Sequence, residues 1–129
     1  MSDTIADFLI RIKNANLAGV KEVVVPYSKM KESLAELLVK KGFLTGKKVV
    51  EENKKKNLVL SLPKRKEEFQ NWEVKRISKP GRRFYVQAKD VIKFKRGTRL
   101  VVISSPQGLI TGEEAIKKHL GGELICKII

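Results

Sequence analysis

Ile5, Phe8, Leu9 and Ile12 fall at i, i+3, i+4 and i+7, the spacing that places four apolar side chains on one face of a helix. A helix is therefore predicted over residues 4–17, with Thr4 as its N-cap and Arg11, Lys13 and Asn14 towards its end. The segment KEVVVP (21–26) reads as a short strand stopped by Pro26. Ser28 is a good N-cap type for a second helix whose apolar face is Met30, Leu34, Leu37 and Leu38, with Gly42 as its stop. Two strands follow, FLTGKKVVEE (43–52) and NLVLSLP (57–63), joined by the turn NKKKN (53–57). The polar, Pro-led stretch PKRKEEFQN (63–71) reads as a linker.

The pattern changes beyond it. WEVKRISK (72–79) and RRFYV (82–86) read as strands around a Pro80-Gly81 turn. AKDVIKFKRG (88–97) reads as a short helix or turn, and TRLVVIS (98–104) as a buried strand. Thr111 is expected to N-cap a helix, with Glu114 completing a capping box. That helix is expected to end at Leu120, with Gly121 as its cap. ELICKII (123–129) is apolar at nearly every position, as a central strand is. The expected fold class is α+β, built from two small α/β lobes. An N-terminal helix–strand–helix–strand–strand lobe covers residues 1–62, residues 63–71 form the linker, and residues 72–129 form a mostly β lobe with one or two short helices.

Composition narrows the function. Of 129 residues, 28 are Lys or Arg and 14 are Asp or Glu, a formal charge of +14. So large an excess of one sign on a small domain points to a polyanionic partner. Ten bases and two acids lie between Glu73 and Arg99, so this stretch alone carries 10 − 2 = +8. Lone Cys126 and lone His119 do not make a metal site, and Cys126 sits in an apolar run where a buried small hydrophobe is expected. No serine sits in a nucleophile-elbow context. An enzyme using Ser104 or Ser105 would need His119 as its base, and no catalytic residue, metal or cofactor is assigned. Apolar runs are far too short to span a bilayer, and acids at Asp3 and Asp7 do not suit a targeting peptide. A polybasic membrane binder lacks the amphipathic anchor it needs. The chain is read as cytosolic.

Two segments carry candidate chemistry. In KRISKPGRRFYV, the bases Lys79, Arg82 and Arg83 suit phosphate, and Tyr85 suits stacking on an unpaired base. SSPQGLITG has two readings, a plain strand-to-helix loop or a neutral reading element. In the second reading, Ser104, Ser105 and Gln107 both donate and accept hydrogen bonds, while Gly108 lets a ligand approach the backbone. Gly122 could allow close approach of RNA or of the serine loop, and Glu123 could orient a neighbour or accept from base amino groups.

The segments IADFLIRIKNA, VVVPYSKMKESLAELLVKKGFL, KRISKPGRRFYV, ISSPQGLITGEEA and GGELICKII together resemble the bacterial small-subunit ribosomal protein eight family, from Asp3 to Ile129. The resemblance implies two α/β lobes and binding to the central domain of small-subunit ribosomal RNA early in assembly. It implies that the C-terminal lobe reads an internal bulge of an irregular RNA helix. It also implies neighbouring ribosomal proteins as partners, a cytoplasmic location, no membrane or small-molecule substrate, and a monomer off the ribosome. In some bacteria a relative represses its own messenger RNA. A non-ribosomal RNA regulator or chaperone that reuses the fold is the alternative.

Ser104 and Gly108 match the family's Ser-Thr-Ser-x-Gly signature, and Ser105 keeps the hydroxyl of the Thr. Pro106 stands where the second Ser is expected and removes a hydroxyl and an N–H. Gly112 and Ile116 replace an Asp and an Arg. Tyr85, Gly122 and Glu123 match. The full candidate RNA-contacting set is Arg11, Lys13, Asn14, Ser28, Lys29, Lys79, Arg82, Arg83, Tyr85, Ser104, Ser105, Gln107, Gly108, Thr111, Gly121, Gly122 and Glu123.

Overall fold

A computed structural model describes residues 4–64 and 73–129. The chain divides into two compact units. One is built on residues 7–64, and the other on residues 73–129 with the first turn of the N-terminal helix. Trp72 and the linker from residue 65 onward lie outside the described residues.

In the N-terminal lobe, α1 (Thr4–Leu17), β1 (Glu22–Pro26), α2 (Lys29–Lys40), β2 (Gly46–Glu52) and β3 (Lys55–Ser61) follow in the expected order. The strands form an antiparallel sheet in the order β1-β3-β2. Val23 and Val25 alternate inward opposite Leu60 and Leu58, which gives the sheet one buried face. Helix α1 buries Phe8, Leu9 and Ile12, and α2 buries Leu34, Leu37 and Leu38. Met30 is exposed, against expectation, and Ala35 lies on the buried side instead. The first helix has the expected bounds, with Thr4 inside its first turn rather than as a cap before it.

Ser28 caps α2 by accepting from the Lys31 N–H at 3.1 Å. Gly42 ends it with φ +83°, and Phe43 N–H donates to Leu38 O at 2.9 Å while Gly42 N–H donates to Val39 O at 3.2 Å. Those two bonds satisfy carbonyls that a helix end leaves open. The turn between β2 and β3 is tighter than the five residues expected. Only Asn53 and Lys54 turn, both at positive φ (50° and 64°), and Glu52 pairs directly with Lys55. A two-residue turn of this hand matches the twist of the strands it joins.

The C-terminal lobe contains β4 (Val74–Arg76), β5 (Tyr85–Val86), a 3₁₀ turn (Ala88–Asp90), α3 (Val91–Lys95), β6 (Leu100–Ser105), β7 (Gly108–Thr111), α4 (Gly112–Lys118) and β8 (Gly122–Ile128). The sheet order is β4-β8-β6-β7, and β5 pairs with the free start of β8 beyond β4. The expected strands 72–79 and 82–86 shrink to three and two residues, because the Pro80-Gly81 turn between Lys79 and Arg82 bends the chain off the sheet. Helices α3 and α4 cover one face, where Val86, Val91, Val101, Ile103, Ile110, Ala115 and Leu124 form the core. Each Val, Leu or Ile among them contributes roughly 1.5–3 kcal/mol on full burial. Cys126 is fully buried.

Between Val102 and Ile103 the register slips: Val102 pairs with Cys126, but Ile103 pairs with Leu124. Ile125 is the extra residue of a β-bulge. Its carbonyl accepts from Ile77 N–H at 3.2 Å, from Ser78 N–H at 3.3 Å and from Arg76 Nη1. The bulge thus fastens the chain that leads from β4 into the Lys79–Arg82 turn.

Candidate nucleic-acid interface

Paired residues of a sheet share a face. Tyr85 pairs with Glu123, Glu123 with Ser104, and Ser104 with Leu109. These four therefore form a row across β5, β8, β6 and β7, on the face opposite the helices. Val86 points the other way into the core. Tyr85 is the most open member, with 69% of its surface exposed. The Ser104 hydroxyl has no hydrogen-bond partner among the described residues, so the row presents an aromatic ring, a carboxylate and an open hydroxyl.

Glu123 is held from behind. Its Oε2 accepts from the Ser78 hydroxyl and lies 3.2 Å from Arg83 Nη1. Ser78 is fully buried, and its hydroxyl also accepts from the Phe84 N–H at 3.2 Å. One serine thus fixes both the carboxylate and the backbone that enters β5. Arg83 offsets the negative charge, which a polyanion would otherwise repel. Glu123 Oε1 has no partner among the described residues and remains an open acceptor. Lys79 and Arg82 stand exposed beside this group, locked to each other by reciprocal backbone bonds of 3.0 and 2.9 Å.

The SSPQG segment is a hairpin tip between β6 and β7, not the strand-to-helix loop of the plainer reading. Ser105 pairs with Gly108 across Pro106 and Gln107. Proline suits the first central position of such a turn, whose N–H the turn does not use. Gly108 follows at φ +105°, a conformation costly to any residue with a Cβ. The Ser105 hydroxyl donates to Gly108 O at 2.9 Å and accepts from Gln107 N–H at 3.1 Å. It closes the tip, whereas Ser104 stays open. The Pro106 replacement is thereby explained locally: the ring fixes φ where the hairpin needs it.

Glycines hold the row together. A Cβ on Gly122 would sit 2.2 Å from Ser104 O, and one on Gly121 would sit 2.5 Å from Val86 O. Gly122 therefore allows the close approach of β8 to the serine segment. Gly121 does not cap α4, as expected from sequence. His119 does so, in a left-handed conformation (φ 55°), and Gly121 instead admits the backbone of Val86 and Gln87. Thr111 caps α4 as expected, accepting from the Glu114 N–H at 3.2 Å. It is buried, and its hydroxyl is committed to that cap.

The remaining candidates lie in the other unit. Arg11 and Asn14 are exposed on α1 and Lys13 is half-buried, while Lys29 is exposed at the start of α2. Ser28 has its hydroxyl oxygen engaged by the helix cap. Sequence reading missed Ser78, which looks like an ordinary strand residue. The one available signal was its place before Lys79-Pro80-Gly81, where a buried serine commonly ties down a turn. Among the described residues there is no cluster of three metal-ligating side chains, and no helix is long and apolar enough to cross a membrane.

Comparison with known proteins agrees with this architecture along the whole chain. The family described as Ribosomal protein S8 matches residues 3–129. A protein named small ribosomal subunit protein uS8 from Streptomyces griseus is 44% identical, across 99% of this chain and 98% of its own length. Proteins of the same name from Kosmotoga olearia and Enterococcus faecalis are each 42% identical, covering 98% and 99% of this chain and 98% of their own lengths. With a family match over nearly every residue and such relatives, the chain belongs to the ribosomal protein S8 family of small-subunit ribosomal proteins.

Proposed function

We propose that the chain binds the central domain of small-subunit ribosomal RNA directly, and that its C-terminal lobe reads an unpaired feature there during subunit assembly. As a member of a structural ribosomal family it is not an enzyme, and it works in the cytoplasm. The observation that carries the reading is the row Tyr85–Glu123–Ser104, a nearly neutral strip beside Lys79, Arg82 and Arg83. Cations supply affinity to any phosphate backbone, which falls with salt. A ring, an open acceptor and an open hydroxyl supply what discriminates a splayed base or a 2′-hydroxyl. Arg11, Lys13, Asn14 and Lys29 give the N-terminal lobe a second, backbone-directed contact. Small-subunit proteins are its neighbours, and off the ribosome the chain is a monomer.

The test is filter binding to a central-domain RNA fragment and to random duplex RNA over a salt series. Ser104→Ala should cost about 1–3 kcal/mol on the fragment and little on the duplex. Lys79→Ala with Arg82→Ala should weaken both RNAs and flatten the salt slope by about one per contact. If wild-type protein binds both RNAs equally, specific reading by this lobe is wrong.

A further inference from the structure

The flank of the C-terminal lobe carries a groove that the row above does not account for. It lies between β5, the 3₁₀ turn and α3, and has a volume of about 510 Å³. Phe84 and Phe94 form its aromatic wall, and Tyr85 lines its border. Phe84 meets Phe94 edge to face, with centroids 5.6 Å apart and planes at 73°, yet keeps 40% of its surface exposed. Phe84, just before β5, and Tyr85 within it are aromatic surface that folding has left uncovered. Gln87 also lines the groove, and its amide has no side-chain partner among the described residues, so it offers both a donor and an acceptor. Lys89 and Lys93 stand on the rim. Asp90, the one acid there, lies 3.3 Å from Lys93 Nζ, so the rim keeps a net positive charge.

We propose that this groove receives one unpaired nucleotide of an RNA strand. The base lies against the Phe84–Phe94 wall, Gln87 bonds its edge, and Lys89 and Lys93 flank its phosphate. Rings that tolerate any π-face, beside cations that track a backbone, make the combination that binds single strands without strong sequence preference. The volume lies in the range of small-ligand clefts. A strand fits better than a free nucleotide because the groove is open and Arg82 continues the positive charge beyond it. The site is on the opposite flank of β5 from the Glu123–Ser104 strip, with Tyr85 bordering both. It does not depend on which structured RNA the strip reads.

The experiment follows backbone amides of the full chain by NMR during titration with a single-stranded uridine heptanucleotide, with uridine monophosphate, and with an acidic heptapeptide. The heptanucleotide should shift the amides of residues 84–94, and do so at least tenfold more tightly than the mononucleotide. Phe84→Leu, which keeps the apolar volume, should weaken it about tenfold. Lys93→Gln, at a largely exposed side chain, should reduce the salt slope by about one. Circular dichroism confirms that both variants fold. Equal binding of mononucleotide and heptanucleotide, equal shifts from the acidic peptide, or shifts confined to residues 104–108 would each overturn the proposal, as would unchanged affinity in Phe84→Leu. No structured ribosomal RNA enters this test, so its failure leaves the ribosomal reading standing, and the reverse.

Discussion

Gly122→Ala is the sharpest test of how the reading row is built. The new methyl carbon would sit 2.2 Å from Ser104 O, 2.9 Å from Ser104 C and 3.1 Å from Ser105 Cα. All three are backbone atoms, so no rotamer change relieves the clash. To reach the 3.0 Å that real contacts respect, β8 and β6 must part by about 0.8 Å at the Ser104–Glu123 pair. A ladder bond of about 2.9 Å would lengthen to about 3.7 Å, beyond hydrogen bonding. Losing one such bond costs about 1 kcal/mol, and the forced separation adds about 1–3 kcal/mol. The sum is about 2–4 kcal/mol, which moves a urea midpoint by about 1–2 M for typical denaturant slopes. Fragment affinity should fall with it, because Ser104 and Glu123 are the residues displaced. Gly81→Ala is the control: its Cβ would meet nothing within 4 Å and its φ is unexceptional. If Gly122→Ala unfolds within 0.5 M of wild type and binds the RNA fragment unchanged, the close-approach argument is refuted.

Other residues give further tests. Ser78→Ala removes the donor to Glu123 and the acceptor for the Phe84 N–H. Thermal unfolding should show a loss of about 1–3 kcal/mol and fragment binding should weaken, whereas a change in neither would mean that Ser78 does not hold the site. Pro106→Ser restores the hydroxyl that the family resemblance leads one to expect, but frees the turn. Stability should drop by about 0.4–1 kcal/mol with discrimination between RNAs unchanged, and a gain in discrimination above threefold would place a contact at the hairpin tip. Lys47 lies 3.1 Å from Glu36 and 3.5 Å from Glu32. Partial burial acts to lower its pKa, but the two carboxylates outweigh that and hold it above the ordinary lysine value of 10.5. The folded state thus binds the proton more tightly, so the contribution is complete below pH 10.5 and lost as pH rises through the raised value. Lys47→Met should cost about 0.5 kcal/mol at pH 7 and less at pH 11, as read from urea midpoints; a constant cost contradicts the ion-pair origin.

Helical periodicity and end signals were legible before any coordinates. Ser28, Gly42 and Thr111 act as caps or stops because those contacts are local in sequence. The burial of Cys126 also followed from its apolar neighbours. What could not be read depends on distant strands. The shortness of β4 and β5, the bulged Ile125 and the hydroxyl of Ser78 are set by how residues 73–86 meet residues 122–129. The hairpin tip was hidden for a different reason, since β7 is only four residues long and runs directly into the cap of α4. His119 as the left-handed residue went unseen because glycines two and three positions later offered a more obvious candidate.

The extra residue at Ile125 also sets the reading frame of the last strand. In an uninterrupted strand, residues two apart share a side, so Leu124 would follow Cys126 and Glu123 would turn towards the helices. With Ile125 bulged out of the ladder, Leu124 enters the core and Glu123 joins Tyr85 and Ser104. Were the strand to run straight with Ile125 kept in the ladder, the two would exchange, burying a carboxylate among aliphatic side chains and placing a leucine beside Tyr85 and Ser104. Deleting Ile125 would instead join Cys126 to Leu124 in the register they already hold, so what keeps Glu123 on its face is that Ile125 stays out of the ladder.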